Sequence, residues 1–196
     1  QPGANAVERW AQPMTIVRLK ITEIFYSLQG EADTAGIPTT FVRLTGCPLR
    51  CQYCDTAYAF HGGEWWELDA IVARVRELGA KHVCVTGGEP LLRRGLPELI
   101  ALLPHAPEVD IALTTNGSLL EQHARRLRDA GLRRVTVSLD SLDDATFMRM
   151  NDADVPVRRV LAGIDAALAA GLGVKINAVI RRGVNDGGVL DLVRRF

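Results

Sequence analysis

The hydrophobic positions of this chain switch repeatedly between two periods. Leu19 to Tyr26 and Thr39 to Leu44 are short runs of apolar and β-branched residues, which predict strands. Leu68, Ile71, Val72, Val75 and Leu78 then recur at helical spacing, and Gly79 follows as a C-cap. His82 to Thr86 predicts a short buried strand running into Gly87 and Gly88. The alternation continues with a helix over Leu96 to Leu103, a strand over Asp110 to Thr114 and a helix over Leu119 to Ala130. A strand at Arg133 to Leu139, a short helix at Asp144 to Met150 and a longer helix at Val157 to Ala170 come next. In the longer helix Val157, Val160, Leu161, Ile164 and Leu168 are expected to face the core. Val174 to Ile180 predicts a further strand and Val189 opens a last helix.

Strands alternating with helices predict parallel β/α units with right-handed crossovers that curl the sheet. The expected fold is therefore α/β, a partial TIM-like (β/α) barrel that stops short of a sixth unit. Its last strand, near Val174 to Ile180, would be an open edge in need of cover. Residues 1–18 read as a disordered polar leader ahead of one core domain at 19–196, with Met14 as the expected translation start.

Composition adds boundaries. The chain has 196 residues, with 23 Lys and Arg against 23 Asp and Glu. That balance argues against a broad electrostatic surface for nucleic acid or membrane. No apolar run reaches the ~18–20 residues of a membrane span. Of the 4 cysteines, Cys47, Cys51 and Cys54 crowd into one loop, which reads as a metal site in a cytoplasmic protein rather than a disulfide framework. Cys84 reads as a small buried core residue.

In β/α architectures, reactive groups sit on the loops that follow the strands. The polar motifs fall there: GCPLRCQYCDT after one strand, TGGEP after the next, TTNGS and SLDSLDD after two more. The CxxxCxxC spacing of Cys47, Cys51 and Cys54 can grip one inorganic group from a single loop. Spacing alone leaves two readings level: an iron–sulfur cluster, or a zinc loop completed by His61. Gly87 and Gly88 would let backbone approach a ligand closely, and Glu89 would give an ammonium an anionic neighbour.

CxxxCxxC with Tyr53 before its last cysteine, followed one unit later by Gly-Gly-Glu-Pro at 87–90, resembles the radical S-adenosylmethionine superfamily. The resemblance implies a 4Fe-4S cluster on Cys47, Cys51 and Cys54, with an open iron that binds S-adenosylmethionine. It also implies a flavodoxin- or ferredoxin-type reductant and a homodimer.

Within that superfamily the first half resembles 7-carboxy-7-deazaguanine synthase, through ITEIFYSLQGE at 21–31, GIPTTFVRLTGC at 36–47 and CDT at 54–56. This implies a lyase of queuosine and tRNA-modification pathways that ring-contracts 6-carboxytetrahydropterin with bound Mg2+. By that likeness Leu28, Gln29, Gly30, Arg43 and Thr86 would touch the pterin. Thr56 would bind Mg2+, and Tyr53, Asp55 and Gly88 would touch S-adenosylmethionine. From about Pro90 onward the chain is instead similar to GTP 3′,8-cyclase of molybdenum-cofactor biosynthesis, through LTTNGS, AGLRRVTVSLDSLD, VKIN and RGVND. That likeness implies S-adenosylmethionine contact at Ser138 and GTP contacts at Thr115 and Lys175. The cyclase carries a second cysteine cluster, and no cysteine follows Cys84 here. The synthase reaction is the expectation, the cyclase reaction the alternative, and a non-catalytic metal-stapled domain the third reading.

Overall fold

A computed structural model describes residues 16–31, 34–103 and 109–196. The expected leader falls almost wholly in residues 1–15, outside the described residues. Seven strands form one sheet: β1 (Arg18–Leu28), β2 (Pro38–Leu44), β3 (Glu64–Glu67), β4 (His82–Thr86), β5 (Asp110–Thr115), β6 (Arg134–Ser138) and β7 (Gly173–Asn177). Among the described residues six α-helices accompany them: α1 (Leu68–Leu78), α2 (Leu96–Leu102), α3 (Leu120–Asp129), α4 (Asp144–Asn151), α5 (Val157–Ala169) and α6 (Val189–Arg195). The sheet order is β3-β1-β2-β4-β5-β6-β7, so β3 and β7 are its two edges and the barrel stays open.

Strands β2, β4, β5, β6 and β7 run parallel, as the alternation predicts. The first pairing differs, because β1 meets both β2 and β3 antiparallel. The link from Leu28 to Pro38 is shorter than the ~12 residues a parallel crossover needs, so the chain turns back on itself. Gln29 N donates to Ile37 O at 2.9 Å and Gly36 N to Gln29 O at 2.7 Å to close that turn. Strand β3 escaped the sequence reading. Its four residues, EWWE, are too few to show a period.

Each parallel strand is two-faced, because successive side chains point to opposite sides of a sheet. Val42, Leu44, Val83, Val85, Ile111, Leu113, Val135 and Val137 are buried in the main hydrophobic core. Helix α1 supplies Leu68, Ile71, Val72 and Val75 to that core and ends at Gly79, whose φ of 68° is left-handed and whose N–H returns to Val75 O. Gly permits that conformation without strain. The intervening strand positions, among them Arg43, Cys84, Thr86, Thr114, Thr136, Ser138 and Lys175, line a cavity. Cys84 is buried as expected, yet it faces this cavity and lies 3.7 Å from Thr114 Oγ1.

Two further expectations change. Leu168 is 55% exposed, since it lies past the stripe of α5 that packs inward. Strand β7 ends at Asn177 rather than near Ile180, because Val179 N donates to Asp140 Oδ1 at 2.9 Å instead of joining a ladder.

Leu99 on α2 is fully buried in the core. Leu99→Ala is expected to lower unfolding free energy by about 2–5 kcal/mol through lost burial and a cavity. Urea denaturation measures this, and a loss below about 1 kcal/mol would contradict the packing described.

Candidate active site

The cavity has a volume of about 600 Å³ and lies at the ends of the parallel strands. Its walls collect residues from each of the four polar motifs that follow the strands. Cys47, Cys51, Tyr53, Cys54, Asp55 and Thr56 come from the loop after β2. Thr86 comes from the end of β4, Gly88 and Glu89 from the loop after it, Thr115 from the end of β5, and Ser138 from the end of β6. Gln29, Gly30, Arg43 and Lys175 complete the set. Leu28 does not join them. It is 61% exposed and outside the lining, at the end of β1 where three successive residues are exposed.

The cysteine loop is held by its own side chains. Arg50 donates from Nη1 to the carbonyls of Cys47 and Leu49, each at 2.7 Å, and its guanidinium stacks 4.6 Å from the centroid of Phe60. The thiol of Cys51 is pushed up to about 11 by burial and then by the neighbouring sulfurs of Cys47 and Cys54. Burial likewise raises Cys47, with Glu89 and Cys54 adding to it. Three soft sulfur donors that repel one another as thiolates are a donor set that a cationic iron centre relieves. They fit an iron–sulfur cluster. His61 is exposed and outside the lining, so the zinc alternative lacks its fourth ligand. Among the described residues no three His, Cys, Asp or Glu side chains are grouped to hold one metal ion.

Glu89 has a different role from the one expected. It is only 1% exposed, and its carboxylate accepts from Leu91 N at 3.0 Å, Thr115 Oγ1 at 2.7 Å and Asn116 N at 2.8 Å. It staples the TGGEP loop to the TTNGS loop, although burial raises its pKa. Thr115 is spent in the same staple, since its Oγ1 also accepts from Gly117 N at 3.1 Å. The glycines follow the same logic. A Cβ on Gly88, at φ +55°, would sit 2.3 Å from Gly46 O, and one on Gly87 2.2 Å from Arg43 Cγ. These glycines let the loop approach the start of the cysteine loop.

Arg43 lines the cavity, with its Nε on Glu23 Oε1 at 2.7 Å and its guanidinium over Phe25 and Tyr58. Lys175 Nζ lies 3.2 Å from Glu31 Oε2, joining the last strand to the β1–β2 link. Thr56 Oγ1 lies 3.7 Å from Cys54 Sγ. The sequence reading missed a polar group behind the cysteines. Tyr53 Oη donates to Asp140, and Cys51 Sγ lies 3.4 Å from Asn151 Oδ1. Asp140 stood in the SLDSLDD motif without a role, and nothing in the sequence pointed to Asn151.

The model of the radical SAM superfamily matches residues 41–196. The chain belongs to the radical SAM superfamily. A protein of Acidothermus cellulolyticus named GTP 3′,8-cyclase is 50% identical over 175 residues, covering 82% of this chain and 48% of that protein. A Staphylococcus saprophyticus protein of the same name is 41% identical over 178 residues, covering 84% of this chain and 52% of its own length. The chain thus spans about half the length of the curated relatives it matches. The crystal structure of QueE from Escherichia coli shares the fold, at a TM-score of 0.52, 19% identity and 91% coverage of both chains. Streptococcus suis SuiB bound to the precursor peptide SuiA aligns at a TM-score of 0.64 and 20% identity, over 76% of this chain and 34% of its own.

These relatives correct the main functional expectation. Relatives at 41–50% identity carry the cyclase name, so the 7-carboxy-7-deazaguanine synthase reading, with its lyase and queuosine terms, does not hold. The LQGE and CDT motifs that suggested it are short, and Leu28, the first residue of LQGE, is outside the cavity lining. The family implies a 4Fe-4S cluster and S-adenosylmethionine. No described helix is long and apolar enough to cross a membrane.

Glu89→Gln replaces one acceptor with a donor opposite N–H and O–H groups that need an acceptor. Leaving such buried partners unmet costs about 1–3 kcal/mol. Thermal melting of the variant should show that loss, and an unchanged melting temperature would contradict the staple.

Proposed function

We propose that this chain carries the radical-generating part of a GTP 3′,8-cyclase-type reaction. The observation that carries the reading is the 50% identity to the Acidothermus cyclase across 82% of the chain. In this reading Cys47, Cys51 and Cys54 hold a 4Fe-4S cluster, and three protein ligands leave one iron for S-adenosylmethionine. When bound, the cluster supplies the electron that cleaves the sulfonium and yields a 5′-deoxyadenosyl radical. Every other task falls to the chain. Tyr53, Asp55, Gly88 and Ser138 line the part of the cavity assigned to S-adenosylmethionine. Glu89 holds that wall in shape from behind.

The substrate is a purine nucleoside triphosphate. Lys175, Arg134 and Arg43 line the cavity, each beside a carboxylate, Glu31, Asp110 and Glu23 respectively, and are the cations that phosphate oxygens would meet there. Gln29, Gly30 and Thr86 lie on the same wall. A Mg2+ carried in with the triphosphate would find the Thr56 hydroxyl at the rim. The proposal includes a flavodoxin- or ferredoxin-type electron donor, a homodimer, and a cytoplasmic setting in which thiols stay reduced.

The test is anaerobic reconstitution with iron and sulfide, then dithionite, S-adenosylmethionine, and GTP and 6-carboxytetrahydropterin offered together. The expected result is 5′-deoxyadenosine formation with consumption of GTP, abolished in Cys51→Ala. Consumption of the pterin alone would overturn the reading. Glu31 also makes a prediction, since it occupies Lys175. A half-exposed pair of this kind is worth about 0.2–1 kcal/mol, so Glu31→Gln should tighten GTP binding by up to roughly fivefold in calorimetry. Weaker binding would remove Lys175 from the phosphate site.

A further inference from the structure

Asn151, the last residue of α4, has no part in the reading above, yet it touches the cysteine loop from two sides. Its main-chain carbonyl accepts from Arg50 N at 3.3 Å, inside the Cys47–Cys51 segment. Its side-chain Oδ1 lies 3.4 Å from Cys51 Sγ and 3.5 Å from Tyr53 Oη. The residue is 4% exposed and lines the cavity. The surrounding loops are knitted to hold it there. Tyr53 Oη donates to Asp140, whose Oδ1 accepts from Val179 N at 2.9 Å and whose carbonyl accepts from Asn185 Nδ2 at 2.7 Å.

A cysteine sulfur with its proton can donate to Oδ1, which is the arrangement seen. A sulfur bonded to iron carries no proton and can only accept, so Oδ1 would then face a second, negatively charged acceptor. A half-turn of the amide about χ2 resolves this by exchanging oxygen for nitrogen. The NH2 group then meets two acceptors, the Cys51 sulfur and Tyr53 Oη, whose own proton is committed to Asp140. The exchange gives up the 3.1 Å bond from Nδ2 to Phe147 O. That carbonyl keeps the helical N–H of residue 151, and a charge-assisted bond is roughly twice as strong as the neutral one lost.

We propose that Asn151 is a positioning residue that donates an amide N–H to the cluster-bound sulfur of Cys51 and thereby raises the cluster's reduction potential. Hydrogen bonds to cluster sulfurs favour the more negative, reduced state. The inference rests on the cluster assignment of the preceding subsection, and its test keeps the two apart.

Asn151→Leu and Asn151→Asp would be reconstituted beside the wild type, and iron content, absorption spectrum and redox titration compared. Both variants lack the N–H donor. The expected result is an unchanged iron content with a lower potential, by about a tenfold shift in the reduction equilibrium, which is 59 mV for one electron. A wild-type potential in variants holding full iron would overturn the Asn151 inference and leave the cluster assignment standing. A Cys51→Ala variant that keeps the wild-type iron content would overturn the cluster assignment itself. One measurement needs no variant. With 15N-labelled asparagine and no S-adenosylmethionine, pulsed electron paramagnetic resonance of the reduced wild type should show a 15N coupling, and its absence would overturn the inference.

Discussion

The site depends on the carbonyl of Gly46. It accepts from Glu89 N at 3.1 Å and from Arg93 Nη2 at 2.8 Å, and the next residue is Cys47. Two loops that follow neighbouring parallel strands are thereby fixed to each other where the cysteine loop begins. Only a residue without Cβ can occupy position 88 above that carbonyl. Glu89 then ties the same turn to the end of β5 and the loop after it by accepting two bonds, from Thr115 Oγ1 and Asn116 N. A short chain of contacts therefore sets the position of the cysteines relative to the wall assigned to the cofactor. Glu89 and Gly88 act chiefly on the protein, and the cavity takes its shape from them.

The parallel strands do two jobs because their side chains alternate. One face carries Val, Ile and Leu into the helix-covered core, and the other carries Cys84, Thr114, Thr136 and Lys175 into the cavity. The register aligns these lumen residues across the sheet, with Cys84 opposite Ala112 and Thr136 opposite Lys175. At the strand starts His82 and Arg134 both meet Asp110, at 3.1 and 2.6 Å. Of these three residues Arg134 lines the cavity.

Much of this was legible in the sequence. Helix α1 was read with its bounds and its Gly79 cap, since its apolar residues keep strict helical spacing before a glycine. The cysteine loop and the TGGEP turn were legible because each is a short local pattern. What escaped depends on contacts between distant segments. The antiparallel pairing of β1 follows from a short link that periodicity does not weigh. Glu89 and Thr115 carried the right motifs, but their mutual bond joins residues that the sequence separates by a whole β/α unit. Asn151 meets Cys51 across 100 positions. The substrate class was misread for a related reason. Short motifs near the cysteines outweighed a longer likeness spread through the strands and loops beyond Pro90.

The central claim is that one loop holds a four-iron cluster with an iron left open for S-adenosylmethionine. Mössbauer spectroscopy of protein reconstituted with 57Fe, before and after adding S-adenosylmethionine, tests it most directly. The account predicts a four-iron cluster in which a single iron changes its isomer shift when S-adenosylmethionine binds. A spectrum in which no iron responds, or a protein that retains no cluster iron, would contradict it.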